Sequence, residues 1–486
     1  MSEKKESKKT EKTKRLPGNF EAISCILFLI LFAVIGYTKF GLRVEVIIII
    51  STAYAMVIGA RCGYTLDEMV EAMYEKMTEN GSLFIFITAI GFTLGAWLYS
   101  GTIPVLIGWL LQIISPKIIL LCCFLFCSIV AVILGTSNGS VGTIGVIMFG
   151  VASVMGVNPA MAAGACACGC YMGQIWCPVA DMPTLSGQLS GGASPLESMK
   201  LMIKPAGTAF VISCIVYTIL GFTQSGSEID QQGIAEYMTS VNTAFHSSIL
   251  VLIPVAVLVF LIIKRVSPSI AMFISGLTGL PIGVLLHGFT LKNGFLALYS
   301  GFKVEMLPEF EYCSQFTSLL GRGGMTANVS MYVFVTIAMS FAGVIGRIGV
   351  VKVMSSMMFS KLKRVGDLVL VGSIGTLLLQ VALPTVYGTN FVASEMFGEG
   401  YTRLGVSRKN MVRLLQSCST LGCVLAPWSI AAVYIETYFG VNPFNFFPYL
   451  IFIYGTIILN IVFAYVLPNY NLPAEEPVQA AAETAE

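Results

Sequence analysis

Ten long apolar runs, separated by short polar loops, dominate this sequence of 486 residues. Each run has the length of a helix that crosses the hydrocarbon core of a bilayer, which takes about 20 apolar residues. Charged residues make up only 11% of the chain, against about 25% in soluble domains. The sequence therefore predicts an integral membrane protein. The runs lie at about residues 22–40, 44–60, 82–100, 116–134, 203–223, 246–263, 269–289, 330–350, 366–386 and 447–467. Shorter or broken apolar stretches at 102–114, 141–156, 159–177 and 411–435 are candidates for re-entrant or discontinuous helices.

The polar parts of the chain indicate its orientation. Seven Lys and Arg residues lie within the first fifteen positions, and basic segments stay on the cytoplasmic side. No cleavable signal is expected, because the basic tail leads directly into a full-length span. We expect a multi-pass protein of the cell membrane with a cytoplasmic N-terminus. The predicted division is a basic cytoplasmic tail (1–20), a first transmembrane repeat (21–223), an extracytoplasmic connection (224–245), a second transmembrane repeat (246–468) and a disordered acidic tail (469–486).

Composition argues against several classes of function. The net charge of +2 gives no basic face for nucleic acid. Two histidines and few acids within the apolar runs make an enzyme improbable, and no cofactor is expected. The thirteen cysteines lie mostly in apolar runs, which favours reduced packing residues. Cys166, Cys168 and Cys170 have no completing His or thiol for a tetrahedral metal site, so we interpret them as small residues at a helix contact.

An internal repeat predicts where the helices are interrupted. Gly135-Thr136-Ser137-Asn138-Gly139 interrupts one apolar run, and Gly388-Thr389-Asn390 interrupts another. A proline follows each, Pro178 after 43 residues and Pro427 after 39. Paired interruptions in two halves mark the binding site of many transporters. We expect an all-α membrane protein of about 10–14 transmembrane helices in two inverted repeats, with non-helical backbone at 135–140 and 388–392 facing each other.

Neutral oxygens at the two interruptions suit a cation that has lost its water. Unwound backbone offers carbonyls, and Ser, Thr and Asn add side-chain oxygens without a full charge. Packing between helices through small polar residues is the alternative, and it explains Ser140 and Thr143 equally well. The predicted ion ligands, together with one acid discussed next, are Thr136, Ser137, Asn138, Thr389 and Asn390.

Asp181 is the acid most open to a functional interpretation. It follows Pro178 within a largely uncharged stretch, and an acid inside a membrane is costly and usually functional. A proton and a sodium ion would compete for such a carboxylate, which is the minimal chemistry of exchange. The alternative is a helix-capping residue at the membrane surface. Two other residues also have two interpretations each. Arg322 either binds an anion or is a loop arginine. Trp428 either forms a wall of the solute site or anchors the chain at the membrane interface.

These motifs resemble the NhaC family of sodium/proton antiporters, over roughly residues 50–465. The stretches that carry the resemblance, in the family's order, are 95–104, 135–145, 163–181, 394–401 and 426–428. Three positions depart from the family pattern, because acids are replaced there by Gln174, Gln416 and Ser417. Of the acids that the family pattern has at these positions, Asp181 alone remains, and the neutral positions suggest contact with an organic solute. We therefore assign Gln174, Gln416, Ser417 and Trp428 to solute binding.

The resemblance implies an inverted-repeat fold, re-entrant hairpins and a homodimer. Its implied function is sodium-coupled secondary transport, as a sodium/proton antiporter, with Na⁺ as the coupling ion. The alternative is a sodium-coupled carrier of a small organic acid or amino acid. A channel or membrane receptor is a rival from another class, but paired broken helices favour alternating access over a pore.

Overall fold

The structure is a computed structural model that describes residues 14–40, 42–79, 81–177, 180–224, 231–357, 364–383, 385–467 and 470–473. Helices dominate these residues, and the β-structure among them is one isolated bridge between Val406 and Pro473. The α-helices are α1 (Asn19–Phe40), α2 (Val44–Arg61), α3 (Leu66–Glu79), α4 (Gly81–Tyr99), α5 (Thr102–Ile113), α6 (Ile119–Leu134), α7 (Ser137–Ser140), α8 (Val146–Val154), α9 (Pro159–Ile175), α10 (Asp181–Leu189), α11 (Pro195–Gln224), α12 (Gln231–Ala244), α13 (Ile253–Ile263), α14 (Pro268–His287), α15 (Leu291–Ser300), α16 (Ser314–Leu320), α17 (Val329–Arg347), α18 (Val350–Met357), α19 (Val365–Ala382), α20 (Val386–Arg403), α21 (Met411–Leu414), α22 (Ile430–Phe439), α23 (Pro443–Phe446) and α24 (Ile451–Val466).

The prediction of an all-α membrane protein with broken helices is confirmed. Among the described residues, eight helices are long and apolar enough to cross a membrane, or up to eleven if each of three bent pairs counts as one span. One bent pair joins Arg408–Leu425 to Ile430–Phe439 at 48°, where the sequence predicted a discontinuous segment. All ten predicted runs contain a helix. The boundaries of the two repeats and of the terminal segments stay predictions.

The chain forms two compact units. Unit 1 comprises residues up to Gly81 together with Val333–Lys361 and Val381–Pro384. Within it, Gly343 lies against α3, because a Cβ added there would be 2.4 Å from the carbonyl oxygen of Ala72. Arg347 pairs with Glu75 at 2.6 Å on the same contact. Unit 2 comprises Ser82–Tyr332, Leu362–Gln380 and Thr385–Glu486, and it contains all the candidate site residues.

Helices α6 and α9 of unit 2 pack at very short range through glycine. A Cβ added to Gly173 would lie 2.3 Å from the Cβ of Ala131, and one on Gly169 would lie 2.4 Å from the carbonyl oxygen of Phe124. Small residues four apart are typical of such contacts in membranes. Cys166 and Cys170 of α9 belong to this contact, where both lie beside Cys127 of α6, whereas Cys168 lies beside Tyr217 of α11 and the backbone of α24; all three are fully buried.

We expect Gly173→Ala to lower the thermal stability of the detergent-solubilised protein, because overpacking at this contact costs about 1–3 kcal/mol. The matched control is Gly207→Ala in α11, where an added Cβ would meet the ring of Trp176 at 3.9 Å, an ordinary contact. Because alanine favours a helix over glycine by about 0.5–1 kcal/mol, the control should be neutral or stabilising. Equal melting temperatures for the two variants would contradict the close packing of α6 and α9.

Candidate functional site

Each predicted interruption is a short break followed by a helix with the same N-terminal cap. Helix α6 ends at Gly135, which has a left-handed φ of 67°, and Thr136 is extended. The Thr136 hydroxyl accepts a hydrogen bond from the backbone N–H of Gly139 at 3.4 Å. In the second half, α19 ends at Ala382 and Thr385 is extended. Its hydroxyl accepts from the N–H of Gly388 at 3.2 Å. A capping threonine thus restarts the helix in both halves.

The predicted extent of non-helical backbone is wrong in both places. In the first half only Gly135 and Thr136 leave helical geometry, and the four residues from Ser137 to Ser140 form α7. In the second half residues 388–392 lie inside α20, because the break precedes Thr385. The glycines at 139 and 388 are therefore the third helical residues, and they donate to the cap rather than interrupt the helix.

The caps reveal the true register of the internal repeat. Thr385 follows Thr136 by 249 residues, and the same spacing separates Gly388 from Gly139 and Pro427 from Pro178. In this register Asn138 corresponds to Tyr387, whereas Asn390 corresponds to Val141. The pairing of Gly135 with Gly388 that was predicted from the sequence is therefore four residues out of register. The repeat signal that carries the correct register is Thr-x-x-Gly at 136–139 and 385–388.

Two π-helices lie among the described residues of unit 2. Val141–Gly145 is a π-helix directly after the first break and α7, and Leu415–Leu421 is a π-helix after α21. Such turns are frequent at functional sites. Ser140 and Thr143 donate to the carbonyl oxygens of Thr136 and Gly139, both at 2.7 Å. These two hydroxyls thus bond within their own helix, which favours the packing interpretation for them.

Asp181 lies where α9, α10 and α20 meet. It is the first residue of α10, where the positive end of the helix dipole favours a carboxylate. Its Oδ1 accepts a hydrogen bond from Nε2 of Gln174 on α9 at 3.3 Å. Its Oδ2 accepts one from the hydroxyl of Tyr387 on α20. The residue before it, Ala180, is the N-cap and makes no side-chain cap. Asp181 therefore joins three helices instead of capping its own.

The connection before Asp181 also contacts the first break. A Cβ added to Gly135 would lie 3.2 Å from Sγ of Cys177 and 3.7 Å from Cα of Ala180. Cys177 and Ala180 thus contact the first break at Gly135, and Asp181 contacts the first turn after the second break through Tyr387. Asn138 lies in the first turn of α7, where its Oδ1 accepts from the hydroxyl of Tyr171 at 3.1 Å. Sequence reasoning missed both tyrosines.

Asn390 and Gln416 each keep an amide oxygen without a hydrogen-bond partner among the described residues. Both side chains are fully buried. Asn390 donates to the carbonyl oxygen of Val386 at 3.0 Å, and Gln416 donates to the hydroxyl of Ser186 on α10 at 2.9 Å. Buried polar atoms are normally paired, so oxygens of this kind fit ligands for a desolvated cation or a polar solute.

The remaining predicted residues lie nearby or elsewhere. Ser137 and Thr389 are buried in the first turns of α7 and α20. Trp428 is 5% exposed in the connection before α22. Arg322 instead donates to the carbonyl oxygen of Tyr438 at 3.3 Å and lies over the ring of Phe149. Burial lowers the pKa of Arg322, and these two contacts agree with a structural arginine.

A membrane bundle with two capped helix breaks, joined at one carboxylate, defines a transporter, and comparison with known proteins identifies the family. A model of the Na⁺/H⁺ antiporter family matches residues 169–466, which is more than half of the chain. The chain belongs to the Na⁺/H⁺ antiporter family. A model of C4-dicarboxylate anaerobic carriers also matches residues 1–222.

Similar proteins extend over nearly the whole chain. A malate-2H⁺/Na⁺-lactate antiporter of Bacillus subtilis is 29% identical over 93% of this chain and 95% of its own length. The Na⁺/H⁺ antiporter NhaC of Alkalihalophilus pseudofirmus is 27% identical over 91% and 94%. An arginine/ornithine antiporter, ArcD, of Halobacterium salinarum is 23% identical over 97% and 96%. The resemblance to the NhaC family is confirmed, and the chain is a membrane transporter.

The roles of the individual site residues stay predictions, and the asparagines give one test. If Asn138 and Asn390 bind sodium, Asn→Ala at either should weaken the apparent sodium affinity about 5- to 150-fold, because losing one buried polar partner costs about 1–3 kcal/mol. The assay is sodium-dependent transport in proteoliposomes. Asn445→Ala, at an exposed position of α23, is the control. Sodium activation unchanged in both variants would leave these residues with a packing role.

Proposed function

We propose that this chain exchanges Na⁺ for H⁺ across the membrane, with Asp181 as the group that binds the two ions in turn. The observation that carries the proposal is the position of the carboxylate. It is hydrogen-bonded to Gln174 and Tyr387, and the residue before it contacts the first helix break. A carboxylate that holds a proton has lost the charge that attracts sodium, so one group at this junction excludes simultaneous binding.

We assign the remaining ligands of the cation to neutral oxygens near the two breaks. They are the amide oxygens of Asn138 and Asn390 together with Thr136 and Thr389, which lie close to them in sequence. Because helices restart at the two breaks, a small rotation of either repeat would change the access to the Asp181 carboxylate. We infer that the two repeats expose this carboxylate alternately to the two sides of the membrane, as in transporters with paired broken helices.

A second candidate is sodium-coupled transport of a small organic acid or amino acid. It is favoured by the neutral residues Gln174, Gln416 and Ser417, which replace the acids of the family pattern. Gln174 and Gln416 are amides directed at Asp181 and Ser186, and amides bind solute carboxylates more readily than acids do. The names of the malate/lactate and arginine/ornithine relatives agree with an organic solute.

The two candidates are separated by intravesicular pH in proteoliposomes. A sodium pulse without organic solute should change the internal pH if the protein is an antiporter. A flat trace, with sodium entry that begins only after an organic acid or amino acid is added, would instead support the carrier. A solute panel that includes malate, lactate, arginine and ornithine covers the second case.

We also propose a cell-membrane location, a cytoplasmic N-terminus and a homodimer. The basic residues of the tail support the orientation, as do Lys264 and Arg265 after α13, since basic loops stay inside. The homodimer rests on the resemblance to the family. Labelling of a tag at the N-terminus in intact and opened vesicles tests the orientation, and the mass of the detergent-solubilised protein tests the dimer.

A further inference from the structure

Helix α11 has a long exposed face. Among the described residues, eight helices are long and apolar enough to cross a membrane, and the apolar stretch of α11 has the smallest buried share, 28%. Its exposed residues recur every three or four positions, so they form one stripe along the helix. The apolar residues of this stripe that are more than half exposed are Leu196, Ile203, Val211, Ile215, Ile219 and Phe222. We call these six residues, together with Lys200 and Lys204, the α11 stripe.

The opposite face of α11 is packed against the rest of unit 2. Tyr217 is fully buried, and its hydroxyl donates to the carbonyl oxygen of Tyr449 at 2.7 Å. A Cβ added to Gly221 would lie 2.3 Å from the carbonyl oxygen of Lys117. These contacts fix the side of α11 that faces the protein, so the α11 stripe faces outward from unit 2.

The two lysines lie at one end of the stripe. Lys200 and Lys204 are both exposed, and the next charged residue along the chain is Glu228. Helix α11 has 30 residues, which make a length of about 45 Å, whereas the hydrocarbon core of a bilayer is about 30 Å thick. Apolar residues of the stripe continue to Phe222, near the other end of the helix. The first third of α11, with both lysines, therefore extends beyond the hydrocarbon core to the level of the lipid headgroups.

The positive charges of these lysines are not compensated within the protein. Neither lysine belongs to an ion pair among the described residues. The one acid in the sequence of α11 is Glu197, and it has other partners. Its Oε2 accepts from the N–H of Ser194 at 2.8 Å, and its Oε1 is 3.7 Å from Nζ of Lys409. Like charges four residues apart on a helix repel each other, so a bound anion would stabilise this end of α11.

The equivalent helix of the second repeat lacks this charge. With the spacing of 249 residues, Lys200 corresponds to Tyr449 and Lys204 to Ile453. Helix α24, which begins between these two positions, contains no Lys or Arg. The packing of the repeat thus does not require basic residues at these positions.

We propose that Lys200 and Lys204 bind the headgroup of an anionic phospholipid, whose acyl chains lie along the α11 stripe. Lysine binds phosphate as a point charge, and basic residues beside a span attract anionic lipids. The apolar stems of both side chains can follow the helix while the ammonium groups reach the headgroup. The loop 190–194 joins this end of α11 to α10, so the bound lipid also stabilises the connection to the helix that begins at Asp181.

The test uses thermal unfolding of the purified, detergent-solubilised full chain, titrated with phosphatidylglycerol and, separately, with phosphatidylcholine. Phosphatidylglycerol should give a saturable stabilisation that high salt weakens, because exposed charges are screened. Lys200→Gln and Lys204→Gln should each raise the half-saturating concentration of phosphatidylglycerol about 5-fold, as expected for one basic group at an anionic lipid surface. Without lipid the melting temperature of each variant should be equal or higher, because one of two repelling charges is removed.

Matched variants serve as controls. Lys200→Arg combined with Lys204→Arg keeps both charges and should keep the lipid effect. Lys292→Gln removes an exposed lysine of α15 and should leave the titration unchanged. The single glutamine variants measure the loss if the double glutamine variant does not fold.

Four results would overturn the proposal. The first is an equal stabilisation by phosphatidylcholine, and the second is an equal stabilisation by inorganic phosphate, which would indicate a site for a free anion. The third is an unchanged phosphatidylglycerol titration in the double glutamine variant. The fourth is a variant that loses a dimer mass while its lipid titration stays the same, which would place a second copy of the chain on the α11 stripe. Lipid binding is measured without transport, so none of these outcomes depends on the ions or solutes that the protein moves.

Discussion

Asp181→Asn is expected to abolish the pH change that a sodium pulse produces in proteoliposomes. The amide keeps the size of the side chain and its place at the start of α10, but it can neither release a proton nor neutralise a sodium ion. With Gln174, Gln416 and Ser417 neutral, no other acid of the family's expected set is present to take over. The expected result is therefore a flat pH trace at every sodium concentration, and not a shift in affinity.

Two further variants separate the charge of Asp181 from its contacts. Tyr387→Phe removes the hydroxyl that donates to Oδ2 but keeps the carboxylate, so exchange should persist at a reduced rate. Asp67→Asn removes an exposed acid of α3 and should leave exchange unchanged. If Asp181→Asn still moves protons, the carboxylate is not the exchanging group, and the capping interpretation gains. If instead the unmodified protein shows no proton flux, and Asp181→Asn lowers the sodium affinity of solute uptake, the protein is a sodium-coupled carrier of an organic solute.

Restoring the family acid tests the same site from the opposite direction. Nε2 of Gln174 is 3.3 Å from Oδ1 of Asp181, so Gln174→Asp would bring a second carboxylate near the first, one methylene further back than the amide. Like charges at this distance favour retention of one proton between them. An organic carrier should gain proton coupling through this change, whereas an antiporter already coupled through Asp181 should keep its coupling.

The sequence predicted the spans well because hydropathy depends on the lipid and not on the neighbouring helices. All ten apolar runs contain helices, and the discontinuous segments at 141–156 and 411–435 contain the π-helices and, in the latter, a bend. The amphipathic helix α3 does not form an apolar run in the sequence, because charged residues lie between its apolar ones.

The location of the second break was predicted four residues too late, for a local reason. Glycine was taken as the residue that interrupts a helix, but at 139 and 388 it is the third helical residue and donates to a threonine cap. Tyr387 was missed because its contact with Asp181 depends on how α20 approaches α10, which no local pattern records. Once the caps give the register, Asn138 and Tyr387 become equivalent positions, and one contacts Tyr171 while the other contacts Asp181.

The second large effect is expected at Arg413, which holds segment 470–473 against the helix that contains Gln416 and Ser417. Arg413 is 3% exposed and lies two residues before the π-helix Leu415–Leu421. Its Nη1 donates to the carbonyl oxygen of Tyr470 at 2.7 Å, and its Nη2 donates to Asn410. The guanidinium also lies 3.9 Å from the ring centre of Tyr470. One buried side chain thus satisfies acceptors from two separate segments.

Asn410 extends the same connection to the backbone. Its amide donates to the carbonyl oxygen of Leu472 and accepts from the N–H of Leu472, both at 2.9 Å. The hydroxyl of Tyr470 donates to Asn460 on α24 at 2.8 Å. Segment 470–473 is therefore tied to α24 and to the start of the helix that contains Gln416 and Ser417.

We expect Arg413→Met to lower the free energy of unfolding by about 2–5 kcal/mol, because it leaves buried acceptors unpaired and removes a cation–π contact. Arg413→Lys should recover only part of this loss, since an ammonium group cannot span the same acceptors as a planar guanidinium. The control is Arg403→Met, which breaks an exposed pair with Glu399 and should change stability by less than about 1 kcal/mol. Thermal unfolding in detergent gives all three values. Equal melting temperatures for Arg413→Met and Arg403→Met would show that segment 470–473 is held by its other contacts, such as those between Asn410 and Leu472.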